Sequence, residues 1–421
     1  MLSIGLARRN GELLIGGVPC TELALAYGTP LLAIDYDAFD AAIERFMHAC
    51  SPHGIDVAYA GKALLLVALA KHLKHTPLGL DVCSLGELMA AERAGFPAER
   101  LTMHGCGKTP AEIDAVLEGR VGRVVVDHVE ELRQLAGRHT AQPIAVLLRI
   151  NTATEAHTHE FVRTSGQHSK FGFDPAALPA ALELLAGAPH LRFTGLHSHI
   201  GSQIYEPQRF AENARSLMAI AAVCASSGFA THTLIAGGGF GIPMRPQDGV
   251  LDLTQVAQSI ASTVRREAQS RNLPVPAIGI EPGRALIGAA GVSLYEVMAA
   301  KRQFGRPYAI VNGGIYENPR PALYDAYHHT VCASRESAHN VETVVCGRTC
   351  ENDRLADAML PEDLRAGDLL AMFSTGAYTY SMASNYNRFA RPAVAAVRAS
   401  AHSLIARRED TADLLRNDVD A

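Results

Sequence analysis

A lysine closes the apolar segment Asp56-Val57-Ala58-Tyr59-Ala60-Gly61-Lys62, three glycines stand together at Gly237-Gly238-Gly239, and an acid opens the turn Glu281-Pro282-Gly283-Arg284. An amine forms a Schiff base with an aldehyde. Successive glycine N–H groups make a nest for a phosphate. A carboxylate keeps a pyridine nitrogen protonated, so that the ring can accept electrons. These are the parts that pyridoxal 5′-phosphate (PLP) chemistry requires. Taken singly, each has a plainer reading, since lysines after strands are usually surface charges and glycine runs serve ordinary turns. The apolar flanks of Lys62, with Ala63–Ala70 following, predict a partly desolvated amine of lowered pKa.

Other side chains extend the set. Ser202, in His199-Ile200-Gly201-Ser202, offers a hydroxyl to the same phosphate. His197 and His199 alternate along one apparent strand and are expected to point the same way. That pair invites a metal reading, but no third ligand stands at sensible spacing, and a flat imidazole suits a flat cofactor ring equally well. Arg284, Arg320 and Tyr324 supply two guanidinium groups and a phenol, able to clamp a carboxylate. Cys350 is a candidate proton donor, and Glu351 beside it a reader of a substrate ammonium.

Alternating strands and helices must position these groups. Strands are expected at Val57–Ala60, Leu78–Cys83, Leu101–His104, Arg123–Asp127, Ile144–Ile150, Phe193–His199, Thr233–Ala236 and Ile278–Glu281, with helices such as Leu85–Ala94, Pro110–Leu117, Phe210–Ser226 and Leu253–Ala268 between them. Eight such units over about 250 residues predict a (β/α)8 barrel. Lys62, Ser84, His104, Arg149, His199, the three glycines and Glu281 then follow strand C-terminal ends, where barrel enzymes build their sites. Beyond Arg284, stretches such as Val292–Ala299, Tyr308–Asn312, Glu342–Cys346 and Leu369–Ser374 read as a mostly antiparallel β domain, which the hairpin-like Gly11–Gly17 is expected to join. The expected fold is α/β: residues 1–32 join the β domain, 33–284 form the barrel, and 285–421 complete the β domain. The charged tail Arg407–Ala421 reads as a frayed helix or disordered.

Composition narrows the partners. A net charge of −5 with no basic stripe argues against nucleic acid and anionic membranes. No apolar run of membrane-spanning length is seen, so no membrane span is expected, and Met1–Asn10 shows no h-region of the kind a signal peptide needs. Eight scattered cysteines without a CxxC pair suit a reducing, cytoplasmic setting without disulfides.

The chain resembles the fold-type III PLP decarboxylases, and among them those acting on diaminopimelate, from about residue 20 to about 397. The motifs are Tyr59-Ala60-Gly61-Lys62-Ala63, Asp81-Val82-Cys83-Ser84-Leu85-Gly86-Glu87-Leu88, Ser169-Lys170-Phe171-Gly172, Gly195-Leu196-His197-Ser198-His199-Ile200-Gly201-Ser202-Gln203, Gly237-Gly238-Gly239, Glu281-Pro282-Gly283-Arg284, Arg320-Pro321-Ala322-Leu323-Tyr324, and Gly376-Ala377-Tyr378 running on to Asn387. The resemblance implies that Lys62 carries PLP, His199 stacks on its ring and Glu281 holds its nitrogen. Gly239, Ser202, Gly283, Arg284 and Tyr378 would hold the phosphate. Arg284, Arg320, Tyr324, Glu351 and Tyr378 would bind substrate, with Cys350 the proton donor, and Cys350 and Glu351 would reach the other subunit of a homodimer. The implied reaction is decarboxylation of meso-2,6-diaminopimelate to L-lysine.

Some positions depart from that pattern. Cys350-Glu351-Asn352-Asp353-Arg354 stands where the family reads Cys-Glu-Ser-Gly-Asp, which would bring Arg354 near Lys170 of a partner unless Asp353 substitutes or the loop runs differently. His104-Gly105-Cys106-Gly107-Lys108 replaces His-Gly-Asn-Asn-Lys, and Gly313-Gly314-Ile315-Tyr316 replaces a Gly-Met-Asn stretch. Three alternatives therefore stand beside the main reading. One is a decarboxylase of another amino acid or of a carboxylated conjugate. Another is a non-catalytic PLP-fold homologue, and the last a metal-dependent barrel resting on His197 and His199.

Overall fold

The structure, a computed structural model, describes residues 7–138, 140, 142–152, 169–245 and 247–419. Contacts divide the chain into two units, residues 44–241 with 250–283, and residues 1–43 with 242–249 and 284–421.

The first unit is the expected barrel. Its strands are β1 (Ile55–Ala60), β2 (Gly79–Val82), β3 (Leu101–Met103), β4 (Arg123–Val126), β5 (Ile144–Arg149), β6 (Leu191–His197), β7 (Thr233–Ile235) and β8 (Ala277–Ile280). They form a closed, wholly parallel barrel in chain order, closed by β8 on β1 through Ile278–Ile55 and Ile280–Val57. Apolar runs such as Val124-Val125-Val126 become strands because a barrel strand is buried on both faces, inward on the barrel core and outward on helices. Crossover helices include Leu85–Arg93, Pro110–Leu117, Val129–Ala136, Leu178–Ala186, Pro207–Ser226 and Leu253–Ser270, close to the expected limits. Their starts are coded locally. Thr109 and Glu112 form a reciprocal capping box, and Asp252 caps the last helix of this set through Gln255 N.

The second unit is mostly antiparallel, as expected. Ala7–Arg9, Glu12–Ile15 and Val18–Pro19 make a small antiparallel sheet. The larger sheet runs Arg354–Pro361, Asn340–Cys346, Arg306–Val311, Gly291–Gln303, Leu31–Asp35, Ala393–Arg398, Ala401–Ala406, with Leu369–Phe373 also on Gly291–Gln303 and carrying Thr330–Cys332. Two pairings are parallel: Arg306–Val311 with Asn340–Cys346, and Leu31–Asp35 with Ala393–Arg398. The N-terminal segment does join this unit, through Leu13 N to Ala333 O at 2.9 Å and an apolar cluster of Leu13, Ile15 and Val18 with Ala395 and Val397.

Some elements escape a sequence reading. The expected break at residue 32 falls inside the sheet strand Leu31–Asp35, and the helix Tyr36–Cys50, which buries Phe39, Ile43, Phe46 and Cys50, follows it. The tail, by contrast, holds the short helix that was one of the two expectations for it, Thr411–Leu415, started by a capping box on Asp410. No helix among the described residues is long and apolar enough to cross a membrane, and all eight cysteines are free.

Candidate active site

The C-terminal ends of the barrel strands surround a cavity of about 460 Å³ lined by Lys62, Asp81, His104, Arg149, His199 and Glu281, among others. Its size suits a small cofactor with part of a substrate. Lys62 lies on the short helical turn Gly61–Ala63 that directly follows β1. Its side chain is exposed, so the desolvation expected from the apolar flanks is absent. The flanks are buried because they belong to the barrel wall, but the turn carries the amine out of it. Ser84 also departs from expectation. It caps the helix Leu85–Arg93 by accepting from Glu87 N at 3.2 Å, which is a structural task.

Glu281 is the electrostatic centre of this cavity and is only 8% exposed. Its Oε2 accepts from His197 Nε2 at 2.9 Å, and its Oε1 lies 3.3 Å from His104 Nε2. Burial alone would raise its pKa, but the two imidazoles outweigh that, and the carboxyl stays well below the usual range. His197 is pushed down to about 4 by burial and is neutral. His104, which also faces Asp81 at 3.6 Å, is raised to about 9, because Glu281 and Asp81 outweigh its burial. Asp81 rises to about 6, from burial first and then Glu281. Glu281 Oε1 is buried with no hydrogen-bond partner among the described residues. A protonated ring nitrogen would satisfy it, so the residues present fit a pyridinium.

His199 lies past the end of β6, so strand alternation does not govern it. Its Nδ1 accepts from Gly238 N at 3.0 Å, while His197 turns to Glu281. The two imidazoles are thus engaged with different partners. His104, His197 and Glu281 do bring ligand atoms within 4.8 Å of one another. The facing acids Glu281 and Asp81 raise the His104 pKa to about 9 against its burial, which favours a proton on that ring.

The glycine loop packs directly on the loop carrying Ser202. Ile204 N donates to Gly239 O at 2.9 Å, and a Cβ on Gly239 would come 2.3 Å from Gly201 O. Gly239 also has φ +97°, a conformation that disfavours any side chain. The loop therefore presents backbone rather than side chains, as a phosphate nest must.

In the second unit, Arg284 and Arg320, each 6% exposed, gather around aromatic rings. Arg284 stands 4.8 Å over Tyr378, and Arg320 lies 5.0 Å from the Tyr324 ring and 5.7 Å from that of Tyr378. Burial and then Arg284 pull Arg320 down to about 9, and its Nε has no hydrogen-bond partner among the described residues. Two neighbouring buried guanidinium groups call for an anion. Tyr378 sits at φ +60°, a strained conformation for a residue with a Cβ, and the adjacent Thr379 hydroxyl bonds Thr375 O.

Cys350 and Glu351 are exposed. Cys350 N donates to Asn387 Oδ1 at 3.0 Å, and Tyr386 donates to Glu351 at 2.6 Å. The loop departure acquires a physical account here. Asp353 is 4% exposed, accepts from Ile315 N at 3.2 Å, and sits where a Cβ on Gly314 would come within 2.7 Å of it. A buried acid at 353 therefore goes with the missing side chain at 314. It is not the exposed acid that a partner's Lys170 would meet. Arg354 bonds Asp357 instead, Nε to Oδ1 at 3.0 Å. Gly314→Ala should destabilise the protein by about 1–3 kcal/mol through overpacking against Asp353, measurable by denaturant unfolding.

His104 and Arg149, placed by the sequence on the site face without a role, do line the cavity, and so do Asp81 and Phe171, which the sequence showed only as members of motifs. Asp81 left a signal, being a charge inside the apolar strand Gly79–Val82. Phe171 takes the Arg149 guanidinium on its face at 4.4 Å, a contact that no spacing encodes.

Residues 37–288 match the family model described as pyridoxal-dependent decarboxylase, pyridoxal binding domain. The chain is 42% identical to diaminopimelate decarboxylase of Actinosynnema pretiosum subsp. auranticum, covering 99% of this chain and 94% of that protein. It is 40% identical to the Bacillus subtilis protein of the same name, covering 99% and 97%. Among solved structures, diaminopimelate decarboxylase from M. jannaschii in complex with L-lysine is 28% identical with a TM-score of 0.93, covering 100% of this chain and 99% of that one.

Proposed function

The chain belongs to the pyridoxal-dependent decarboxylases, and from that premise we propose how its residues divide the work. The reaction is PLP-dependent decarboxylation of meso-2,6-diaminopimelate to L-lysine and CO2, in line with relatives carrying that activity in their names over nearly the whole chain. The observation that supports the assignment of roles best is the barrel cavity, which joins an accessible lysine amine to a buried carboxylate with an unspent acceptor atom.

PLP, when bound, supplies an electron sink for the pair left behind as CO2 departs. Lys62 holds the cofactor between turnovers through its accessible amine. Glu281 keeps the ring nitrogen protonated, and His197 fixes Glu281 by donating to Oε2. His199, oriented by Gly238 N–H, backs the ring. Gly239, Ser202, Gly283, Arg284 and Tyr378 hold the phosphate. Arg284, Arg320, Tyr324 and Tyr378 bind the distal part of the substrate, the arginines through its carboxylate, and Glu351 takes its ammonium. The Cys350 thiol delivers the proton to the carbon that lost CO2. The exposed setting of Cys350 and Glu351 supports their use across a homodimer with shared sites. Eight free thiols and a biosynthetic role agree with a cytoplasmic enzyme.

The direct test is incubation of purified protein and PLP with meso-diaminopimelate, followed by mass spectrometry for lysine. Cofactor uptake without lysine would mean a different substrate. Arg320→Met should raise KM by about 10- to 100-fold with a smaller change in kcat, because a charge-assisted contact to the non-reacting carboxylate serves binding. An unchanged KM would remove Arg320 from the clamp.

A further inference from the structure

His104 has no role in the assignments above, yet its side chain meets two acids of the barrel site at once, Asp81 and Glu281. Its backbone N–H donates to Val82 O at 2.7 Å, which pins it at the end of β3. Its Nε2 lies 3.6 Å from Asp81 Oδ1 and 3.3 Å from Glu281 Oε1. Its ring meets that of His197 edge-on, with centroids 5.1 Å apart. His197 in turn donates to the other oxygen of Glu281. Glu281 is thus gripped from two sides by rings on β6 and β3.

We propose that His104 is a positioning residue for the cofactor: standing between Asp81 and Glu281, it holds the Glu281 carboxylate so that Oε1 can receive the ring N–H. The proposal rests on the PLP reading above. Three observations carry it. Glu281 Oε1, His104 Nε2 and both oxygens of Asp81 are buried without hydrogen-bond partners among the described residues, although they lie within ion-pair distance. Such a group holds charge in place while leaving hydrogen-bonding capacity for an incoming polar atom. The chain Asp81–His104–Glu281 also ties β2, β3 and the turn after β8 together, so the carboxylate's attitude is set by the barrel wall. Finally, the two acids hold His104 protonated near neutral pH, which a passive packing residue would not need. Among the described residues, the other charged or titratable groups facing this cluster include Lys62 after β1, Arg123 on β4, Arg149 on β5, His197 on β6, His199 just past β6 and Cys106 in His104's own loop.

The test compares wild type, His104→Gln and His104→Lys. Cofactor affinity is read from visible absorbance and equilibrium dialysis, and the absorbance of the bound cofactor is followed against pH. His104→Gln should bind PLP about 10- to 100-fold more weakly and shift the pH profile, and His104→Lys, which restores the cation, should recover part of both. Should His104→Gln fail to fold, Asp81→Asn probes the same chain from its other end and should give a smaller loss of affinity. Stability of the cofactor-free protein provides a reading independent of PLP. A raised folded-state pKa stabilises fully below the ordinary histidine value of 6.5, and that contribution is lost as pH rises through about 9. Wild type should lose stability over that window, and His104→Gln should not. Wild-type affinity and an unaltered absorbance profile in His104→Gln would overturn the proposal. Failure of wild type itself to take up PLP would instead overturn the functional reading.

Discussion

Lys62→Ala is expected to turn over meso-diaminopimelate about 10³-fold or more slowly than wild type, the scale of loss when a covalent catalytic group is removed. The expectation follows from position as much as residue type. Lys62 is exposed at the wall of the barrel cavity, on a turn set by β1, and His199, beside it, is held neutral by burial and by the Lys62 charge itself. The amine therefore has access to a carbonyl without a competing cation from that imidazole. Borohydride reduction of the wild-type holoenzyme should leave cofactor mass on the peptide containing residue 62, and the alanine variant should carry none. Lys62→Arg separates charge from nucleophilicity: it keeps the cation, loses the Schiff-base amine, and should be as inactive as alanine. A wild-type kcat in either variant would mean that this lysine is not the point of attachment.

Glu281→Gln should lower kcat by about 10²–10³-fold, because an amide no longer favours a protonated ring nitrogen and the electron sink weakens. KM should change less, since the substrate-clamping arginines are untouched. The same substitution has a consequence without cofactor. The Glu281 carboxyl is held well below the ordinary glutamate value of 4.5, because His197 and His104 outweigh the opposing effect of burial. A depressed carboxylate pKa stabilises the fold above pH 4.5, and that stability is lost as pH falls through the folded-state value. Wild type should therefore lose stability in acid where Glu281→Gln does not. The difference between their denaturant midpoints should shrink as pH drops below about 4.5. A gap constant from pH 7 to pH 3 would show that folding does not depress the Glu281 pKa.

Much of the fold is legible in the residues because barrel strands and their helices are coded locally. Val124-Val125-Val126 can only be a buried strand, and Thr109-Pro110-Ala111-Glu112 writes its own helix start. The helix Tyr36–Cys50 is less legible although its apolar spacing is helical, because it follows directly on the strand Leu31–Asp35 with no turn residue between them. Edge elements such as Ala401–Ala406 were missed for a different reason. They are half-exposed, so their pattern carries little burial signal, and they are strands because a neighbour pairs with them.

The site divides in the same way. Residue type and local spacing alone determined that Lys62, the glycine loop and Glu281 follow strands, and that their chemistry suits an aldehyde cofactor with a phosphate. Tertiary structure decided that His197 and His199 part company and that Lys62 stays accessible. It also decided that Asp81, His104 and Glu281, far apart in the chain, share one charged cluster, and that Asp353 fills the space left by Gly314. The reason is physical. A strand end or a helix cap depends on a few adjacent residues, whereas burial, pKa and packing space depend on which distant segments the barrel and sheet bring together.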